Sequence, residues 1–273
     1  MTEENPNSDT VPMFGTEKLS IAQIWDQMQR LQTDFALAQE LTYYYTSPQW
    51  LKAKTVLDLG TGNGYYLSKI AQRFPDKVYH GVDISPEFID IALREAATAN
   101  ISFALGSLFD VTEPSDFVLM RLVLQHMDDI PAILDQAARL TNPGGSALII
   151  DAYDPFRFFH PELPEFMEFF STYAEHERMA GRDRRVAYRV EQALASNPFW
   201  RPGSTLQLLI PSTIEGNLNL FAKTYTLLAD LVEQSGKFQY NFRAVKDAWR
   251  RWTERTDAYT QVGLILIGID RIC

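Results

Sequence analysis

The chain has 273 residues, 46% of them apolar, enough to bury a sizeable core in one domain carrying additions. Its formal net charge of −10 argues against a nucleic-acid partner, because gripping a phosphate backbone takes clustered Lys and Arg. The one cysteine, Cys273, excludes an intramolecular disulfide, a cysteine-rich zinc site and an internal thiol nucleophile, so no metal is expected and a reducing, cytoplasmic setting fits.

Met1-Thr2-Glu3-Glu4-Asn5-Pro6 is polar and acidic, without the basic and apolar stretches of a secretory signal. No later run is apolar for long enough to span a membrane. Residues 21–45 place Ile24, Trp25, Met28, Leu31, Phe35, Ala38 and Leu41 at helical spacing and end in Tyr43-Tyr44-Tyr45. Those tyrosines read equally as packing under the helix or as polar tips at a binding crevice.

Val56-Leu57-Asp58-Leu59-Gly60-Thr61-Gly62-Asn63-Gly64 is an apolar strand ending in a loop of alternate glycines, followed by a helix over 67–74. A loop placed between strand and helix N-terminus presents bare N–H groups to negative ligand atoms. Its D-x-G-x-G-x-G spacing is not the G-x-G-x-x-G of nicotinamide enzymes. A second strand, Val78-Tyr79-His80-Gly81-Val82-Asp83-Ile84, ends in an acid about twenty residues on, where a carboxylate can accept both hydroxyls of a ribose. The plainer role for Asp83 is to cap the next helix, but Ser85 and Pro86 already supply that start. Strands over 101–106 and 116–121, a helix over 131–140 and a strand over 146–151 continue the alternation. Strand and helix at this spacing mean right-handed crossovers and a parallel sheet buried on both faces. Ligands of such sheets sit beyond the carboxyl ends of the strands, where Asp58, Asp83, Ser107 and Arg121 converge on a nucleoside-type site.

Over about 51–154 these motifs resemble the class I S-adenosylmethionine-dependent methyltransferases of the small-molecule, natural-product type. Leu140-Thr141-Asn142-Pro143-Gly144-Gly145 is similar to their L-x-P-G-G turn, with one extra residue. The resemblance implies an α/β, doubly wound, seven-stranded, mostly parallel sheet with an antiparallel edge strand and helical lid and cap additions. It implies that Gly60, Gly62 and Gly64, with Thr61 and Asn63 between them, let the methionine part of S-adenosyl-L-methionine lie on the backbone. Asp58 then meets the donor's amino group through water and Asp83 holds its ribose. Ile84 and Leu108, beside Ser107, flank the adenine, and Arg121 reaches the donor carboxylate or serves only through its backbone. S-adenosyl-L-homocysteine is the implied product. The helix over 21–45 becomes a lid, and Tyr44, Tyr45 and Tyr153 are candidates on the substrate side. His126, just past the fourth strand, is the candidate general base, against local packing within Gln125-His126-Met127; a neutral amine acceptor needs no base. The fourth strand ends in Met120-Arg121-Leu122-Val123, without the Pro-Pro-aromatic turn of amino-methylating nucleic-acid enzymes, so a small-molecule acceptor is expected; N or O is the expected methylated atom, while no residue separates O-, N-, C- and S-methylation.

The chain divides on this reading into an arm and helical lid over 1–50, the donor-binding core over 51–154, a helical cap over 155–204, and the last two strands over 205–273. In the cap, Phe166, Phe169, Phe170 and Tyr173 share a helical stripe while Glu162, Glu165, Glu168, Glu175 and Glu177 fall largely elsewhere. An amphipathic helix packed on the core accounts for this; the sharper alternative is an acid-rimmed aromatic pocket for an amine. Arg182, Arg184, Arg185 and Arg189, interleaved with Asp183 and Glu191, read as a salt-bridged helix face. Strands over 205–210 and 262–269 are separated by some fifty residues that read as helices over 218–234 and 241–255, a cap or a homodimer contact. Two other classes share the same core: a donor-binding cyclase of a natural-product pathway, and a non-catalytic binding subunit. Release of S-adenosyl-L-homocysteine in step with product separates the first, and turnover itself the second.

Overall fold

A computed structural model describes residues 19–213 and 217–272; the arm over 1–18 and Cys273 lie outside them. Ser20 and Gln23 cap each other reciprocally to start α1 (Ile21–Thr46), and Ser47 followed by Pro48 starts the short α2 (Pro48–Lys52). The alternation then runs β1 (Thr55–Leu59), α3 (Tyr65–Arg73), β2 (Val78–Asp83), α4 (Pro86–Glu95), β3 (Ile101–Leu105), β4 (Ser115–Arg121), α5 (Ile130–Arg139) and β5 (Thr141–Ala152). Beyond it come β6 (Phe158–His160), α6 (Pro164–Met179), α7 (Val186–Leu194), β7 (Trp200–Thr213), α8 (Leu218–Ser235), α9 (Phe242–Thr253) and β8 (Tyr259–Arg271).

The sheet order is β3-β2-β1-β4-β5-β8, with β7 on β8 and β6 meeting β8 beyond the end of β5. β1 to β5 pair in parallel, and β8 runs antiparallel to both β5 and β7. Alternate residues explain why the sheet is covered twice. Leu57, Leu59, Val118, Met120 and Ile149 pack under α5 and α7, whereas Val56, Phe117, Leu119, Leu148 and Ile150 join the core under α1, α3 and α4. Strand order reverses at β1, which has β2 on one side and β4 on the other, so a crevice opens at their carboxyl ends.

Three details differ from the sequence reading. There are eight strands among the described residues, because the three-residue β6 is too short to show as an apolar run. The antiparallel strand is not at the edge: β7 lies outside it. β7 and β8 also extend past the apolar stretches 205–210 and 262–269, since polar pairs such as Ser212 with Thr260 ladder through backbone groups that need no apolar side chain. The inserted helices cover the chain's own lid and cap. Phe221 of α8 meets Phe35 of α1 with ring centroids 5.7 Å apart, and Trp249 of α9 meets Phe166 of α6 at 5.0 Å. No described helix is long and apolar enough to cross a membrane.

Candidate active site

The loop after β1 is shaped by positive φ at Gly60 (+78°), Gly62 (+59°) and Gly64 (+72°), a region that side-chain-bearing residues avoid. Space is short as well: a Cβ on Gly60 would lie 2.5 Å from Val123 Cγ2, and one on Gly62 would run into the Gln29 amide. Asp83 holds this loop from the end of β2. Its Oδ2 accepts the Gly62 N–H at 2.8 Å and its Oδ1 accepts the Ser85 N–H at 2.9 Å, so it serves both the loop and the start of α4. A carboxylate has about four acceptor directions, which leaves room for two further donors. From the lid, Gln29 Oε1 accepts the Asn63 N–H at 2.9 Å, and Asn63 Nδ2 donates to Asp26 Oδ1 at 2.6 Å. α1 is thereby bolted to the glycine loop by side chains that the sequence showed only as the polar face of an amphipathic helix.

A cavity of about 460 Å³ lies between this loop, the lid and the cap. Asp58, Gly60, Thr61, Gly62 and Asn63 line it from β1 and its loop, Asp83 and Ile84 from the end of β2. Ser107 and Leu108 enter after β3, and Arg121 and His126 from the end of β4 and the lip beyond it. Gly64 is set behind the wall. It caps α3, where a Cβ would meet the Phe103 ring at 2.6 Å. Three tyrosines expected on the substrate side lie elsewhere. Tyr44 is fully buried with its hydroxyl 3.0 Å from that of Tyr66 and its ring against Trp50. Tyr45 is exposed beside Phe74, and Tyr153 packs edge-on to Phe156.

The charged groups of the wall divide by position. Asp58 is buried, and among the described residues its Oδ1 has no hydrogen-bond partner. Burial pushes its carboxyl up to about 7, although Arg121 pulls the other way. The Arg121 guanidinium is itself committed to the lid: Nε and Nη2 donate to the fully buried Glu40 at 2.9–3.2 Å, and Nη2 also reaches the Gln32 carbonyl at 3.3 Å. The Tyr66 ring lies 4.2 Å beneath it. His126 turns an exposed face into the cavity and an edge toward Trp25 at 5.8 Å. Protein encloses it otherwise, and loss of hydration, followed by the charge of Arg184, pushes its imidazole down to about 4.

At the far end the wall carries Arg157 and Arg184, together with Phe170 and Tyr173 of α6 and Tyr225 of α8. Phe170 and Tyr173 belong to the aromatic pocket that the sequence offered as an alternative, whereas Arg157, Arg184 and Tyr225 were not expected in a site. Arg184 belongs to the arginine-rich run, where the salt-bridged reading holds for its neighbours: Arg182 pairs with Glu177 at 2.7 Å and Arg185 with Asp183 at 2.5 Å. Arg189 instead donates to the Met127 and Asp128 carbonyls, both at 2.8 Å. Arg184 alone of the four turns into the cavity, a difference no spacing rule marks. The aromatic stripe of α6 does pack inward, but none of Glu162, Glu165, Glu168, Glu175 and Glu177 lines the cavity. Glu162, Glu168 and Glu175 are exposed, and the buried Glu177 is paired with Arg182 and Lys237. The amine pocket is therefore replaced by guanidinium groups. No cluster of three or more potential metal ligands occurs among the described residues.

This sheet order, with a glycine loop and a strand-ending acid at its switch point, is the class I methyltransferase fold. A family model described as a methyltransferase domain matches residues 51–193, more than half of the sequence. The chain belongs to the methyltransferase-domain family, and the S-adenosylmethionine-dependent class read from its motifs is borne out. A demethylmenaquinone methyltransferase of Symbiobacterium thermophilum is 31% identical over 112 residues, 38% of this chain and 45% of that protein. An uncharacterised methyltransferase of Schizosaccharomyces pombe is 25% identical over 222 residues, 74% of this chain and 79% of the relative. The chain spans less than half the length of several curated relatives that it matches. Among solved structures, phosphoethanolamine N-methyltransferase 2 of Haemonchus contortus, in complex with S-adenosyl-L-methionine, shares the fold with a TM-score of 0.57 at 18% identity, over 94% of this chain and 59% of that one.

Proposed function

We propose that the chain transfers a methyl group from S-adenosyl-L-methionine to a small-molecule acceptor, on N or O, and releases S-adenosyl-L-homocysteine. The observation that carries this is the wall of the crevice at β1 and β4: a positive-φ glycine loop flanked by two carboxylates, in a chain of this family. The residues fit the donor. The unpartnered, buried Asp58 Oδ1 suits an ammonium group, and the bare loop, closed above by Gln29, accepts an amino-acid portion lying against backbone. Asp83 retains acceptor directions for two ribose hydroxyls, while Ile84 and Leu108 offer apolar surface to a base.

When bound, a sulfonium supplies a methyl carbon that is already electrophilic and open to in-line displacement. The chain's task is then to hold two reactants in line and to keep water out. α1, pinned through Glu40 to Arg121 and through Gln29 to Asn63, closes one side of the cavity, and the cap closes another. His126, with its imidazole neutral at pH 7, offers an unprotonated ring nitrogen to an O–H acceptor. Calorimetry with S-adenosyl-L-homocysteine and a labelled-donor screen of acceptors test the reading, and absence of any binding by that nucleoside ends it. If His126 takes the proton, His126→Ala lowers turnover by roughly 100-fold or more while donor affinity stays unchanged. Equal turnover removes it from the mechanism.

A further inference from the structure

We infer that the far end of the cavity is an oxyanion subsite, in which Arg157 and Arg184 hold a carboxylate or phosphate group borne by an acceptor with a flat, apolar body. The inference rests on the methyl-transfer reading and names the substrate class of the same site.

The first support is charge. Both guanidiniums stand in the cavity wall, whereas the carboxylate they share does not. Asp154 lies outside the wall, accepting from Arg157 Nη2 at 2.7 Å and from Arg184 Nε at 3.0 Å, so one hydrogen-bonded anion serves two cations. The next carboxylate, Asp151, is fully buried and also outside the wall. Its oxygens accept the N–H groups of Gln125 at 3.2 Å and Ala152 at 2.8 Å. Glu177 is taken up by Arg182 and Lys237, itself two cations to one anion. The two guanidiniums thus share one hydrogen-bonded carboxylate, and Asp151 acts on Arg184 only through space, so the wall at this end carries two cations and no anion and favours an anion that enters.

The second support is an unmet donor. The Arg157 side chain is 5% exposed, and among the described residues its buried Nε has no hydrogen-bond partner. A buried charged N–H without an acceptor is expensive, and a small turn of the guanidinium toward an oxygen in the cavity would satisfy it. Apart from the shared Asp154, its contacts fix the group without neutralising it: Nη1 donates to the Tyr225 hydroxyl, and the Phe170 ring lies 3.8 Å from its Cζ. The same ring lies 5.2 Å from the Arg184 Cζ. Arg184 spends its Nε–Nη2 fork on Asp154 and donates from Nη1 to Gln125, so the second hydrogens of its Nη groups and the unmet Arg157 Nε are the donors left for the oxygens of a carboxylate or phosphate. Tyr173, Leu228, Val262 and Leu264 line the space nearby and suit an apolar body.

Binding of benzoate, phenyl phosphate and the neutral benzamide to the full chain, with and without S-adenosyl-L-homocysteine, tests this. The anions should bind at least tenfold more tightly than benzamide. Arg157→Gln should bring them to the benzamide level, with affinity for the nucleoside unchanged, and Arg157→Lys should fall between. A preference between benzoate and phenyl phosphate identifies which oxyanion fits. Benzamide binding as tightly as both anions to the wild-type chain overturns the inference, as does anion binding that Arg157→Gln leaves intact. Should Arg157→Gln fail to fold, the wild-type comparison of anions with benzamide decides. If the nucleoside does not bind, the donor reading falls, whereas the anion preference measured without it still judges the subsite.

Discussion

At one end of the cavity the charged wall groups are two carboxylates, Asp58 and Asp83; at the other they are two guanidiniums, Arg157 and Arg184. The acidic end is built by backbone: a strand end, a glycine loop, and a carboxylate that bonds the loop's own N–H. The basic end is built by long side chains from the cap, braced against one aspartate and one aromatic ring. Backbone-borne sites tolerate little change, since any Cβ at Gly62 strikes the lid. Side-chain-borne sites can be rewritten residue by residue without disturbing the sheet. A family can therefore keep one donor while varying its acceptor.

Breaking the Arg121–Glu40 pair, which ties the end of β4 to α1, should have the largest effect. Glu40→Ala leaves a guanidinium that is 8% exposed without its partner, so urea unfolding should show a loss of about 3–5 kcal/mol. A loss under about 1 kcal/mol would mean that the pair does not tie the lid to β4. Next comes Asp83→Ala, which removes the charged acceptor from Gly62 N–H and two acceptor directions from the cavity. Affinity for S-adenosyl-L-homocysteine should fall roughly 10- to 100-fold, equivalent to about 1.5–3 kcal/mol. Benzoate binding should not change, and a parallel loss would show that the two ends are not separate.

The same contrast explains what could be read from sequence. The donor end was legible because backbone geometry leaves a local mark: glycines at φ values only they favour, a strand-ending acid, a Ser-Pro helix start. The parallel strands were legible through their apolar runs, and α8 and α9 through helical periodicity. The far end was not. Phe170 was placed correctly on the buried stripe of α6, but nothing in its spacing distinguishes a cavity wall from ordinary core. Arg184 sat among arginines that do form surface pairs, and only the tertiary position of Asp154 turns it inward. Tyr44 failed as a site residue for a related reason. A tyrosine at a helix end reports amphipathic character, and whether its hydroxyl meets a ligand or another tyrosine depends on the partner helix.

Acidity gives a third test of the carboxylate end. The Asp58 carboxyl is pushed by burial up to about 7 in the folded protein, above the ordinary carboxylate range. Between those values the folded chain binds a proton that the unfolded chain has released. This contribution to stability is complete at low pH and is lost as pH rises toward 7. A ligand ammonium favours the ionised form, so affinity for S-adenosyl-L-homocysteine should weaken by up to about tenfold per pH unit below 7. Asp58→Asn should flatten that profile. Asp151, which burial pushes to about 6, titrates in part of the same window but lies outside the wall, so a slope surviving in Asp58→Asn would assign the effect to it or to another group.

The smallest effect is expected at Tyr44. Tyr44→Phe removes a buried hydroxyl 3.0 Å from that of Tyr66 and nothing from the cavity wall. One such bond contributes about 1 kcal/mol, so the unfolding midpoint should move slightly while nucleoside and benzoate affinities stay as they are. A fall in nucleoside affinity comparable with that of Asp83→Ala would place this hydroxyl, through Tyr66 and the Arg121 guanidinium above it, in the donor end. The acidic end would then depend on the lid helix as well as on backbone, and its contrast with the basic end would narrow to the sign of the charge.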